Sequence, residues 1–139
     1  MKQEDKELLL KDICGRLPYG VKCEYDGKVY GILGYAHGKI VLCKPFMSIT
    51  ECLLFRESYS NIKPYLFPLS SMTEEQKREY NSLRDFVPTY HYEFGDIIED
   101  TELYDNFESI DYLIANHFDY RNLIPKGLAI DCTGLNIYV

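Results

Sequence analysis

Val21-Lys22-Cys23-Glu24-Tyr25-Asp26-Gly27-Lys28-Val29-Tyr30-Gly31-Ile32-Leu33-Gly34-Tyr35 is the stretch that decides the fold. Val21, Cys23 and Tyr25 alternate with Lys22 and Glu24. A period of two puts one set of side chains on a single face of a strand. Asp26-Gly27 supplies the positive φ angles of a tight hairpin turn. Val29 to Tyr35 is the return strand, and Gly31 and Gly34 allow a bend or bulge in it.

Working outward, Ala36-His37-Gly38-Lys39 is a second turn and Ile40 to Lys44 a third strand. Glu51 to Phe55 and Ile62 to Leu69 supply one or two more, with Pro64 and Pro68 placing the last at an edge or a bulge. Short strands joined by tight turns predict a small, strongly bent antiparallel sheet or barrel, closest to a Src-homology-3-type barrel. Before it, Leu8, Leu9, Ile13 and Leu17 recur near a 3.6 period, so residues 4–16 are expected to be helical until Pro18 stops the run.

Beyond the sheet, Thr73-Glu74-Glu75-Gln76 is a capping box that opens a helix to about Asp85, ended by Pro88. Residues 87–104 mix rings and acids without a clear period and are expected to form a long loop with a turn at Gly95 and at most one short strand. A further helix is expected over about Asn106 to Asn116, with Ile110, Leu113, Ile114 and His117 on one face. Asp119 can cap a short helical turn over Tyr120 to Ile124, and Leu128-Ala129-Ile130 reads as a terminal strand. The expected class is α+β in one domain, residues 1–139, with the sheet at about 19–69 and residues 1–17 and 71–139 packed on it.

Charge is distributed unevenly. Between Arg84 and Arg121 there is no lysine or arginine, yet ten of the 22 carboxylates lie there: Asp85, Glu93, Asp96, Glu99, Asp100, Glu102, Asp105, Glu108, Asp111 and Asp119. That block accounts for the whole net charge of −7, and the rest of the chain is slightly basic. Such segregation is a statement about partners or solubility. It opposes direct nucleic-acid binding, because a duplex carries about one negative charge per 1.7 Å. No apolar run approaches the ~20 residues that span a bilayer, and the charged start is not a targeting peptide. Cys14, Cys23, Cys43, Cys52 and Cys132 show no zinc spacing and are expected as reduced thiols of a cytosolic protein.

Two stretches carry a resemblance: Leu10-Lys11-Asp12-Ile13-Cys14-Gly15-Arg16-Leu17-Pro18-Tyr19-Gly20-Val21-Lys22 and His117-Phe118-Asp119-Tyr120-Arg121-Asn122-Leu123-Ile124-Pro125-Lys126-Gly127-Leu128-Ala129. With Lys63-Pro64-Tyr65-Leu66 and Ser71-Met72-Thr73-Glu74-Glu75, they resemble a group of small uncharacterised proteins encoded in prophages and mobile elements of anaerobic gut bacteria. The resemblance implies a bacterial cytosol and a phage-related task. It brings no cofactor and no site residues.

The function expected is non-enzymatic contact with a basic protein surface. The acidic face comprises Glu93, Asp96, Glu99, Asp100, Glu102, Asp105, Glu108 and Asp111, with Tyr92, Phe94 and Tyr104 as apolar anchors. In a phage-like setting its concrete form is an inhibitor, a nucleic-acid mimic that fills the groove of a host enzyme. The bland alternative is a solvated face that keeps the protein soluble. A second alternative is a small barrel binding nucleic acid or peptide through a groove lined by Tyr19, Tyr30, Tyr35, Tyr59 and Tyr65. A third is a metal-dependent enzyme using His91, Glu93, His117 and Asp119, two pairs with imidazole and carboxylate two residues apart. No nucleophile elbow, phosphate-cradling glycine loop or zinc-protease helix is present.

Overall fold

The computed structural model describes residues 2–36, 38–44, 53–56 and 61–138, the backbone alone for 53–56. His37, Glu51, Cys52 and Tyr59, each named above, lie outside them. In chain order the elements are α1 (Gln3–Arg16), β1 (Lys22–Tyr25), β2 (Lys28–Ala36), β3 (Lys39–Cys43), β4 (Leu53–Arg56), β5 (Ile62–Leu66), α2 (Glu74–Leu83), β6 (Asp85–Glu93), β7 (Asp96–Tyr104), α3 (Phe107–Ala115) and β8 (Ile130–Asp131). The chain divides into two compact units, residues 1–71 with 114–139 and residues 72–113. Among the described residues no helix is long and apolar enough to cross a membrane.

The first unit is a helix on a sheet. Asp26 at φ 52° and Gly27 at φ 72° turn β1 into β2, with Tyr25 opposite Lys28. The β2–β3 register shifts between Ile32 and Gly34, so the bend allowed by the glycines is a bulge. The strand order is β4-β3-β2-β1-β5-β8, antiparallel except for the parallel β5–β8 pair. No pairing among the described residues closes this sheet, so the molecule shows an open α+β sheet and not the expected barrel closure. β5 is also not an edge. Pro64 faces Cys23 of β1, and the β8 ladder begins one residue later at Tyr65, which lets a residue without an N–H sit inside the sheet.

α1 buries Leu9, Asp12, Ile13 and Arg16, spaced i, i+3, i+4, i+7. Leu9 and Ile13 join a core with Val21, Cys23, Ile32, Leu42, Ile62, Leu66 and Leu123. Arg16 is fully buried. Its Nε donates to Asp12 Oδ2 at 2.7 Å, its Nη2 to Asp12 Oδ1 at 3.2 Å and to the Phe118 carbonyl at 2.6 Å. Arg121 Nε approaches Asp12 Oδ1 at 3.5 Å. Burial pushes the Asp12 carboxyl up, while Arg16 and Arg121 pull it down.

The segment after α3 closes this unit. Phe67 pairs between His117 and Asp119, donating to the first and accepting from the second at 2.8 Å each. Asp119 is buried and accepts from the N–H groups of Leu123 and Ile124, so it ties down a non-helical turn in place of the short helical one expected over Tyr120 to Ile124. Tyr138 lies flat on His117, ring centroids 3.5 Å apart and planes 8° apart. Its hydroxyl accepts from the Lys22 N–H at 2.9 Å and donates to the Tyr65 carbonyl at 2.7 Å.

Cys14, Cys23 and Cys132 are free thiols, whereas Cys43 is disulfide-bonded. The expectation of reduced thiols throughout is therefore corrected.

In the second unit, Thr73 accepts from Gln76 N–H at 3.1 Å and the Gln76 side chain accepts from Thr73 N–H at 2.9 Å, closing the capping box. α2 then ends at Leu83, earlier than expected, because Arg84 is already extended at φ −78° and ψ 154°. The expected long loop is instead the β6–β7 hairpin, with Pro88 inside a strand.

Candidate functional site

The hairpin pairs nine residues with nine, from Asp85↔Tyr104 to Glu93↔Asp96. Phe94 at φ 53° and Gly95 at φ 84° form its two-residue turn. Positive φ at both positions is the mirror-image turn whose twist matches paired strands. Its ties to the rest of its unit sit at the base. Arg84 Nη2 donates to the Leu103 carbonyl at 2.8 Å, and Asn106 Nδ2 donates to the Leu83 carbonyl at 2.7 Å and to Asp85 Oδ1 at 3.1 Å. Below the base, the Tyr80 and Tyr112 rings meet edge to face, and Tyr112 donates to Glu79 at 2.9 Å. Beyond the base large apolar side chains stand in solvent: Phe86 is 64% exposed, Tyr90 65%, Tyr92 78%, Phe94 98% and Ile97 63%.

Pairing sorts these side chains onto two faces, because cross-strand partners point the same way and successive residues point opposite ways. One face carries Asp85, Glu93, Asp96, Asp100 and Glu102, with Val87, Thr89, His91, Ile98 and Tyr104. The other carries Phe86, Pro88, Tyr90, Tyr92, Ile97, Thr101 and Leu103, with Glu99 as its one acid. Contacts along the first face agree with this. His91 lies 3.5 Å from Glu93 and 3.9 Å from Asp100, and Tyr104 donates to Glu102, which holds its hydroxyl above the ordinary range.

The acidic patch expected from the sequence is therefore divided. Glu93, Asp96, Asp100 and Glu102 come together, with Tyr104 beside them. Glu99 and Tyr92 project from the opposite face, and Phe94 is in the turn. Asp105 is not free: it is 3.4 Å from Arg84 Nε and accepts from Tyr80 and Ser109. Burial first, and Asp105 second, push the Tyr80 hydroxyl up to about 12. Glu108 and Asp111 are exposed on α3.

The other candidates separate too. His91 and Glu93 belong to the second unit, His117 and Asp119 to the first. Both Asp119 oxygens are taken by backbone N–H groups, and among the described residues no three His, Cys, Asp or Glu side chains are grouped to hold a metal ion. Of the tyrosine groove, Tyr30 and Tyr65 are buried, Tyr19 and Tyr35 are exposed. Burial pushes the Cys23 thiol up to about 12 and the Cys132 thiol up to about 11, so neither is a ready nucleophile.

Sequence reasoning missed the buried Asp12–Arg16 pair, although its i, i+4 spacing with opposite charge was there to be read. No family model, curated protein or solved structure matches the chain.

Proposed function

We propose that this chain is a non-enzymatic interaction protein whose β6–β7 hairpin meets a basic protein surface with its acidic face. The observation that carries this reading is the gathering of Glu93, Asp96, Asp100 and Glu102 on one face of a hairpin whose hydrogen-bond ties to its unit, among the described residues, lie at its base. A two-stranded hairpin alone is marginally stable in water. One with several large exposed apolar side chains gains most from a partner. Lysine and arginine are absent from Asp85 to Tyr120, so the hairpin itself contributes no permanent positive charge to that face. Association steered by such a face is fast and weakens with salt. In a phage-like setting, the concrete form is an inhibitor that occupies the nucleic-acid groove of a host enzyme.

The test compares the native chain with the quadruple variant Glu93→Gln, Asp96→Asn, Asp100→Asn, Glu102→Gln as bait in host lysate, at low and high salt. Basic proteins recovered by the native chain, released by salt and lost with the variant, are expected. Equal recovery by both baits would reduce the acids to solubilising groups.

A further inference from the structure

We infer that the outer edge of β7 takes up an extended segment of the partner as a third strand, one whose residues alternate basic and apolar. This deepens the reading just given and rests on it. A two-residue mirror-image turn is closed by a hydrogen-bonded pair, here Glu93↔Asp96. Hydrogen-bonded and non-hydrogen-bonded pairs then alternate along the ladder. His91↔Ile98, Thr89↔Asp100 and Val87↔Glu102 bond inward, whereas Tyr92↔Ile97, Tyr90↔Glu99, Pro88↔Thr101 and Phe86↔Leu103 turn their N–H and C=O groups outward. The Leu103 carbonyl confirms the phase, because Arg84 reaches it from outside the ladder.

The two outer edges differ. Pro88 falls at an outward position of β6, so that edge lacks an N–H at its middle. β7 contains no proline and presents the outward N–H groups of Ile97, Glu99, Thr101 and Leu103 as an unbroken row. Ile97, Glu99 and Thr101 are exposed. An unpaired row of this kind is a template for another strand.

Charge decides the occupant. A strand laid on β7 continues both faces, so its alternate residues stand beside Asp96, Ile98, Asp100 and Glu102 on one side and beside Ile97, Glu99, Thr101 and Leu103 on the other. Lysine or arginine fits the first set, which holds three acids, and uncharged side chains fit the second, where Glu99 is the one acid beside Ile97, Thr101 and Leu103. A second copy of this chain does not fit, since antiparallel β7 against β7 sets these acids against acids.

The probe is a terminally blocked nonapeptide of alternating lysine and valine, with a control holding the same residues in two blocks. Binding is followed by titration and by amide hydrogen exchange. The alternating peptide is expected to bind more tightly and to slow exchange at Ile97, Glu99, Thr101 and Leu103. Thr101→Pro removes one outward N–H without touching the inward ladder, as Pro88 already does across from it. It should weaken binding by about tenfold or more. Tyr90→Pro makes the same change on the β6 edge, controls for general damage by proline, and should bind as the native chain does. Equal binding of the two peptides, protection at Tyr90 and Tyr92 instead, or equal loss in both proline variants would overturn the inference. Concentration-dependent protection without peptide would assign the edge to a second copy and overturn it as well. Native-like binding by Thr101→Pro, with loss in the quadruple amide variant, would remove the edge and leave the acidic face standing. The opposite pattern would keep the edge and remove the acidic reading.

Discussion

The Leu103 carbonyl accepts a hydrogen bond from the Arg84 guanidinium at 2.8 Å. The same side chain lies 3.4 Å from Asp105 and 5.0 Å from the centre of the Tyr80 ring. One arginine thus joins the end of α2, the end of β7 and the start of the connection to α3. It holds an otherwise solvated hairpin at its base.

Arg84→Ala should therefore loosen the hairpin more than the first unit. The expected cost is about 1–2 kcal/mol, the worth of a charge-assisted hydrogen bond with a part-exposed ion pair beside it. Amide exchange should accelerate across Asp85 to Tyr104 while the β1–β2 amides keep their rates. A uniform change over both units would show that Arg84 is not a local clamp.

The buried pair in α1 makes a second prediction. Arg16→Met leaves the Asp12 carboxylate buried with only Arg121 beside it, and should cost about 3–5 kcal/mol. Asp12→Leu strands the Arg16 guanidinium and should cost a similar amount. The double variant should be more stable than either single one, since no buried charge of the pair is then unmatched. Urea midpoints of the four chains decide it, and simple additivity would contradict it.

Tyr138→Phe tests the closure of the first unit. The hydroxyl bridges the Lys22 N–H and the Tyr65 carbonyl, joining the chain's last described residue to β1 and β5. Its removal leaves both backbone groups without that partner, at about 1–3 kcal/mol. The His117 stack remains, so a loss well above this range in a thermal unfolding experiment would mean that the ring itself had moved.

His117 predicts a pH dependence. Burial, then the positive charges of Arg16 and Lys22, lower its pKa from 6.5 to about 4. The unfolded chain therefore takes up the proton first as pH falls. The stability linked to neutral His117 is complete above about 6.5, declines below that, and levels off below about 4. Because His117 is only part-buried, solvent screening holds its size below the ~3 kcal/mol that the full shift would give. His117→Asn suits the positive φ of 64° and does not titrate in this range. It should flatten the decline between pH 6.5 and pH 4 relative to the native chain; identical pH profiles would exclude His117 as the origin.

Several elements were legible because their signals are local. Asp26-Gly27 demands a turn wherever it stands between alternating strands, Thr73 and Gln76 satisfy each other's backbone, and Asp119 has N–H groups within reach of its own carboxylate. The β6–β7 hairpin was hidden for the same reason in reverse. Phe86, Pro88, Tyr90 and Tyr92 do alternate with Asp85, Thr89, His91 and Glu93, but β7 carries no matching alternation, neither face is buried, and the turn is Phe94-Gly95 in place of an asparagine or aspartate before glycine. Pro88 reads as a breaker until pairing shows that its missing N–H points outward.

The chain by itself determined that the acids are concentrated in one stretch, because charge is a property of composition and needs no partner in space. Which acids stand together was decided only by tertiary structure. Strand pairing turns alternate residues to opposite faces, so it set Asp96, Asp100 and Glu102 on one side and Glu99 on the other, and folding spent Asp105 on Arg84. Sequence distance does not encode that sorting, since a shift of one residue in register would reverse every side chain.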